Sequence, residues 1–269
     1  MKETYRTFFG LEREPFPTDP GIGDILVTED VKGVCSRFEY AVRLGAVALL
    51  TGEIGSGKST ALRYAISGLH PSEYRTITIT AVAGSILEMY RMFLAELGLE
   101  TASSSRAFLL GAIRKEVSRL VCEKKMKLVL VVDEASLLRL EVFAELHTLC
   151  QFDLDSKSWL PIVFAGQSHL IDKLMYPGSK PLASRIVARS HLEGADRNQM
   201  ESYLLHHLKL AGIQKNLFEE AAVTAIHQGS AGLFRKANHL ARGSLIAAAQ
   251  SQCAVVGAEH VRTASTELF

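Results

Sequence analysis

What the chain has little of narrows it first. Its 269 residues contain four cysteines (Cys35, Cys122, Cys150 and Cys253), scattered with no C-x-x-C pair and no zinc spacing. That excludes a disulfide scaffold and a structural zinc site, and the four read as reduced, mostly buried small hydrophobes. No apolar run approaches the ~18 residues of a membrane span, and the opening Met1-Lys2-Glu3-Thr4-Tyr5-Arg6 has no signal-peptide core. A cytoplasmic protein without a membrane span is expected. The net charge is only +1, so bulk charge offers no argument for nucleic acid. There is no internal repeat and no low-complexity tract. The nine histidines show no ligand spacing, since His206 and His207 are adjacent and face different ways. With 48% hydrophobic and 22% charged residues, the chain is ordinary for a globular protein. It is long enough for an α/β core and a smaller second domain.

What is present is more specific. The apolar run Val47-Ala48-Leu49-Leu50 leads into Gly52-Glu53-Ile54-Gly55-Ser56-Gly57-Lys58-Ser59-Thr60, and helix formers Ala61 to Ile66 follow. This fits G-x-x-x-x-G-K-[ST], the P-loop, in the strand–loop–helix context that the motif needs. The glycines let backbone N–H groups turn inward around phosphate oxygens, and the following helix aims its positive dipole end at the same anion. Lys58 is expected to reach the β- and γ-phosphates and the Ser59 hydroxyl to ligate Mg²⁺. A nucleoside triphosphate, ATP, is the expected ligand.

A second element says what becomes of it. Lys127-Leu128-Val129-Leu130-Val131-Val132 is apolar after its lysine, as in a central parallel strand buried on both faces, and it ends in Asp133-Glu134. Ligands of open α/β sheets sit at the carboxyl ends of strands, so both acids are expected beside the P-loop. Asp133 is expected to hold Mg²⁺, directly or through water, and Glu134 to orient and polarise the attacking water. The alternative is a kinase, in which the acid serves an acceptor hydroxyl.

The organisation follows from periodicity. Residues 1–40 read as an irregular lead, because Pro15, Pro17 and Pro20 block regular structure around Phe16. Strands are expected at 47–51, 76–82, 127–132 and 161–165, with a possible edge strand at 186–189. Helices are expected at 58–69, 84–97, 105–123, 137–151 and 168–175. This alternation implies a parallel sheet covered by helices on both faces, over 41–194. Beyond Gly194 the pattern is wholly helical (196–211, 217–227, 233–250 and 257–267), so 195–269 reads as a small all-helical lid domain. Between Ala102 and Lys127, seven bases (Arg106, Arg114, Lys115, Arg119, Lys124, Lys125 and Lys127) stand against two acids, Glu116 and Glu123. Their helical spacing against Leu109, Ile113, Val117, Leu120 and Val121 puts them mostly on the solvent side. They form either a solvated face or a footprint for a phosphate backbone.

An α/β P-loop core followed by four lid helices resembles the AAA+ ATPases. Phe8-Phe9-Gly10-Leu11-Glu12-Arg13-Glu14-Pro15-Phe16 is similar to the opening of the ExeA/GspA-type ATPases. Phe164-Ala165-Gly166-Gln167 resembles their strand ending in a G-Q pair. Gly232-Leu233-Phe234-Arg235-Lys236-Ala237-Asn238 is similar to their G-x-P-R-x-I-N lid motif, with Phe234 and Ala237 as departures. The resemblance runs nearly end to end, and it implies further roles. Gln167 would be the sensor that positions water or bonds the γ-phosphate. Arg235 would be the second sensor, reaching from the lid. Arg185 stands where the family carries an arginine finger that acts in trans, worth ~10³–10⁵ in rate; Arg189 competes for that role. Phe16 and Pro17 stand where the family's lead lies near the base, with plain core packing the other reading.

Three processes fit such a chain. The preferred one is an ATP-dependent DNA-binding regulator of transposition, similar in role to MuB, TnsC or IstB proteins. Its subunits would assemble as a homo-oligomeric ring or helical filament on double-stranded DNA and recruit or stimulate a transposase. Backbone-directed contacts would come from exposed Arg106, Arg114 and Lys115. The second is a secretion-assembly ATPase like ExeA itself. Such chains run on past the lid into a membrane span and a cell-wall-binding domain, whereas this sequence reaches Phe269 with neither, which argues against it. The third is a P-loop enzyme acting on a small molecule, disfavoured by the helical lid and by the lack of an acceptor motif.

Overall fold

The computed structural model describes residues 2–99 and 101–266. Lys2–Phe9 forms helix α1 and Glu29–Leu44 helix α2. Strand β1 (Val47–Gly52) runs into α3 (Lys58–Ser67), then β2 (Tyr74–Thr80), α4 (Ile86–Glu96), α5 (Arg106–Cys122) and β3 (Lys127–Asp133). Helix α6 (Leu140–Leu146) precedes β4 (Ile162–Gly166), and α7 (Leu170–Met175) and α8 (Lys180–Ala183) precede β5 (Ile186–Leu192). Four helices close the order: α9 (Arg197–Leu210), α10 (Glu220–Ser230), α11 (Phe234–Gln250) and α12 (Ala258–Thr266). Residue 267, the expected end of the last helix, lies outside the described residues. Among the described residues no helix is long and apolar enough to cross a membrane.

The chain divides into two compact units. One comprises Thr28–Gly52 and Lys58–Leu192; the other comprises Met1–Val27, Glu53–Gly57 and Glu193–Phe269. The first is the α/β unit. Its five strands lie in the order β2-β3-β4-β1-β5, and every pair is parallel. Burial follows position in the sheet: β1 and β4 are buried throughout, while edge strands β2 and β5 alternate. Strand β3 divides its side chains between two cores, as its period of two requires. Leu128, Leu130 and Val132 join the cluster of α4 to α7, and Val129 and Val131 join the cluster of α2 and α3.

The structure departs from the sequence pattern in two places. The lead is not irregular throughout, because α1 and α2 are regular helices. Helix α2 carried its own signals: Thr28 caps its first turn by accepting from Val31 N, Glu29 and Asp30 follow, and Gly45 ends it in a left-handed conformation. The helix expected over 137–151 shrinks to α6 between two 3₁₀ turns, Ala135–Leu137 and His147–Cys150. Leu138 and Arg139 are extended and interrupt it.

The second unit is all-helical, and its core takes in the start of the chain. Tyr5, Leu11 and Phe16 are buried with Leu204, Leu208, Phe218, Ile226, Leu240 and Leu245. Polar contacts pin the same segment. Arg242 Nε donates to Glu14 (2.7 Å) and its guanidinium also donates to the Phe16 carbonyl. The Tyr5 hydroxyl donates to Glu14 (2.6 Å), Arg13 Nε to the Leu210 carbonyl (2.7 Å), and His206 Nε2 to the Asp24 carbonyl (2.8 Å).

His207 sits in this core at 4% exposure, with the Tyr203 and Phe16 rings 4.4 and 5.7 Å away. Burial first, and His206 second, push its pKa from 6.5 down to about 4. The folded protein therefore resists a proton that the unfolded chain accepts below pH 6.5, so this contribution is present above that pH and lost towards pH 4. Unfolding free energy is expected to be on the order of 2 kcal/mol lower at about pH 5 than at about pH 7. A His207→Phe variant should flatten that slope in urea titrations; an unchanged slope would refute the assignment.

Candidate nucleotide-binding site

Loop residues 53–57 belong to the helical unit, whose α11 starts directly on them. Arg235 N donates to the Gly55 carbonyl (3.3 Å). A Cβ on Gly55 would stand 2.9 Å from Arg235 Cβ, and one on Gly57 3.5 Å from the Phe234 ring. Both glycines have positive φ (86° and 96°), so the loop demands glycine for its backbone and, at Gly55, for space as well. Ser56 between them is 2% exposed, and its hydroxyl has no hydrogen-bond partner among the described residues. A buried orphan hydroxyl in this loop suits a ligand rich in acceptor oxygens.

In the α/β unit, Lys58 is 7% exposed and donates from Nζ to the Gly52 carbonyl (2.9 Å). The Ser59 hydroxyl donates to Asp133 Oδ2 at 2.9 Å, so residues 74 apart in sequence meet. One hydroxyl and one carboxylate oxygen side by side fit a hard, oxygen-seeking cation such as Mg²⁺. Asp133 Oδ1 accepts from Glu134 N (2.8 Å). Glu134 itself takes a left-handed backbone (φ 52°, ψ 31°), a conformation costing a residue with a Cβ about 1–3 kcal/mol.

The turn after Glu134 is tied down from two sides. Gln167 N donates to the Ser136 hydroxyl (3.4 Å), and a Cβ on Gly166 would meet Ser136 N at 2.9 Å. Lys173 of α7 donates to the Ser136 carbonyl (2.6 Å) and the Leu138 carbonyl (2.7 Å). Sequence pattern gave no sign of Lys173, because a lysine in a short helix has no spacing that marks it.

Arg235 is exposed at the start of α11, against the loop. Arg185 donates to Asp155 Oδ2 (2.7 Å) and holds that carboxyl below its ordinary pKa, whereas Arg189 is exposed on edge strand β5. Phe16 has no exposed surface to offer a base. The basic helix is also less free than its composition implies. Arg106 pairs with Glu145 (2.7 Å), and Arg119 makes two bonds to buried Glu116. Arg114 is half-buried, not exposed as expected, and donates to the Thr148 carbonyl. Lys115, Lys124 and Lys125 remain exposed.

Comparison with known proteins places the fold. Residues 43–174 match the family model described as an AAA domain. The chain superposes over 95% of its length on ORC2 of Aeropyrum pernix, solved in ADPNP–ADP complexes, at TM-score 0.69 and 14% identity, covering 72% of that chain. The fold is the AAA+ P-loop fold. ORC1 of Aeropyrum pernix, solved in complex with DNA, gives TM-score 0.67 at 17% identity, over 92% of this chain and 67% of that one. At such identities the likeness concerns the AAA+ fold alone. In sequence, the chain is 30% identical over 246 residues to General secretion pathway protein A of Aeromonas hydrophila, which is 91% of this chain and 45% of that protein. The chain thus spans less than half of that relative.

Proposed function

We propose that the protein is an ATP-hydrolysing AAA+ switch that assembles with copies of itself, as a ring or helical filament, on duplex DNA and regulates a transposase. The observation that carries the hydrolytic part is the Ser59–Asp133 hydrogen bond with Glu134 next in line. Lys58 and the amides of 52–60 bind the β- and γ-phosphates. Ser59 and Asp133 would hold Mg²⁺, which would neutralise charge on those phosphate oxygens. Glu134 takes a proton from the attacking water as the water oxygen bonds to the γ-phosphorus and the bridging oxygen leaves with ADP. Gln167 orients that water, and Arg235 touches the γ-phosphate from its place against the loop. Arg185 of a neighbouring copy, freed from Asp155, stabilises the transition state; its ion pair keeps it idle in the separate chain. Exposed Arg189 is the other candidate for that task.

For the DNA part, support comes from exposed Lys115, Lys124 and Lys125 with Arg106, and from the fold shared with a protein solved on DNA. Binding should require ATP and be indifferent to sequence. For three to four phosphate contacts per subunit, affinity should fall about 40- to 150-fold between about 50 and 200 mM salt. Fluorescence anisotropy with labelled duplex measures both. Equal affinity with ATP, with ADP and with no nucleotide would refute the switch.

The 30% identity to General secretion pathway protein A favours a second reading, in which the same ATPase serves assembly of a secretion apparatus. It predicts full ATPase activity with no duplex binding in any nucleotide state, so the same titration separates the two.

A further inference from the structure

We propose that Lys173 is a positioning residue for hydrolysis, acting through the turn that presents Glu134; this rests on the hydrolytic reading above. The turn begins at a residue in a strained left-handed conformation (Glu134, φ 52°) and closes with Leu137 N on the Glu134 carbonyl (2.8 Å) and Leu138 N on the Ala135 carbonyl (3.1 Å). Two further carbonyls, Ser136 O and Leu138 O, accept from one ammonium, Lys173 Nζ, at 2.6 and 2.7 Å. Hydrogen bonds from a charged donor are shorter and stronger than neutral ones, and two on one group fix direction as well as distance.

Ser136 is the junction. Its carbonyl accepts from Lys173, its hydroxyl accepts from Gln167 N (3.4 Å), and its amide lies where Gly166 leaves room. One residue thus ties together the turn carrying Glu134, the end of β4 carrying Gln167, and α7. Lys173 is half-buried, and two backbone carbonyls hold its charge. An ammonium placed on two backbone carbonyls aims the backbone, and here that backbone aims the carboxylate that meets the water.

Lys173→Met keeps the aliphatic stem and removes the donors. The expected result is a kcat for ATP about 10- to 100-fold lower, the scale of a displacement of about 1 Å in a reacting group. The Kd for a fluorescent ATP analogue should stay within about threefold of wild type. In a Glu134→Gln background the same substitution should have no further effect, because it acts through Glu134. Should Lys173→Met fail to fold by circular dichroism, Lys173→Gln, which retains one donor group, is read against the same criteria. An unchanged kcat, a parallel loss of kcat and ATP affinity, or an undiminished factor in the Glu134→Gln background would each overturn the proposal. A wild-type protein that binds ATP without hydrolysing it would defeat the hydrolytic reading instead.

Discussion

Glu134→Gln should leave ATP bound but unhydrolysed, with kcat about 10²–10⁴-fold lower and the Kd for ATP within about threefold of wild type. The substitution is close to isosteric, so the left-handed turn (φ 52°) and the bond from residue 134 N to Asp133 remain. What goes is the carboxylate that accepts the proton of the attacking water. Lys58→Ala should act at the other stage, weakening binding itself, because Lys58 is buried at the start of α3 where the phosphates are expected. A single-turnover assay beside an equilibrium titration distinguishes these outcomes. Glu134→Gln protein that hydrolyses ATP at the wild-type rate would remove Glu134 from the mechanism. On the switch reading, the same variant should also stay on duplex DNA far longer than wild type when supplied with ATP.

The second large effect is structural. Phe16→Ala should cost about 3–5 kcal/mol, the range for emptying a buried aromatic site. Its ring is fully enclosed, with Phe218 6.3 Å and His207 5.7 Å away, and its carbonyl is held by Arg242. The thermal midpoint of the helical unit should fall by well over 10 °C, at about 4–8 °C per kcal/mol. At low temperature, where the variant is folded, ATP affinity should match wild type. The opposite pattern, with unchanged melting and weakened nucleotide binding, would restore Phe16 as a cover for the base.

These two residues mark how far the sequence was legible. Glu134 was readable because it stands at the end of an apolar run whose direction is set by parallel pairing. Asp133, Lys58 and Ser59 were readable because a phosphate loop imposes fixed spacing. The parallel sheet and the helical second unit were readable from periodicity, since Leu128 to Val132 have no polar side and the pattern after Gly194 keeps 3.6. Phe16 was ambiguous because an aromatic between prolines has no period to show which way it faces; only the chain's return some 200 residues later encloses it. Arg114 misled for a similar reason. Helical spacing placed it outward, yet the Thr148 carbonyl, from a distant part of the chain, claims it. Local pattern reports a residue's side, and tertiary partners decide whether its charge is available. Lys173 lay beyond reach altogether, since carbonyl acceptors leave no trace in side-chain spacing.

The pinning of the lead to the last helices also sets a schedule for the chain as it is made. Phe16 leaves the ribosome among the first residues, but Phe218 and Arg242 appear only after some 200 more. At about 5–20 residues per second that is a wait of roughly 10 to 40 s. Throughout it an apolar segment has no native place to go, while the strands of the sheet can already pair behind it. The helical unit closes only when the first and last parts of the chain meet. A nascent chain cut short inside α11 would therefore carry a folded sheet and a sticky, unpartnered lead, a form for chaperones to hold and proteases to find.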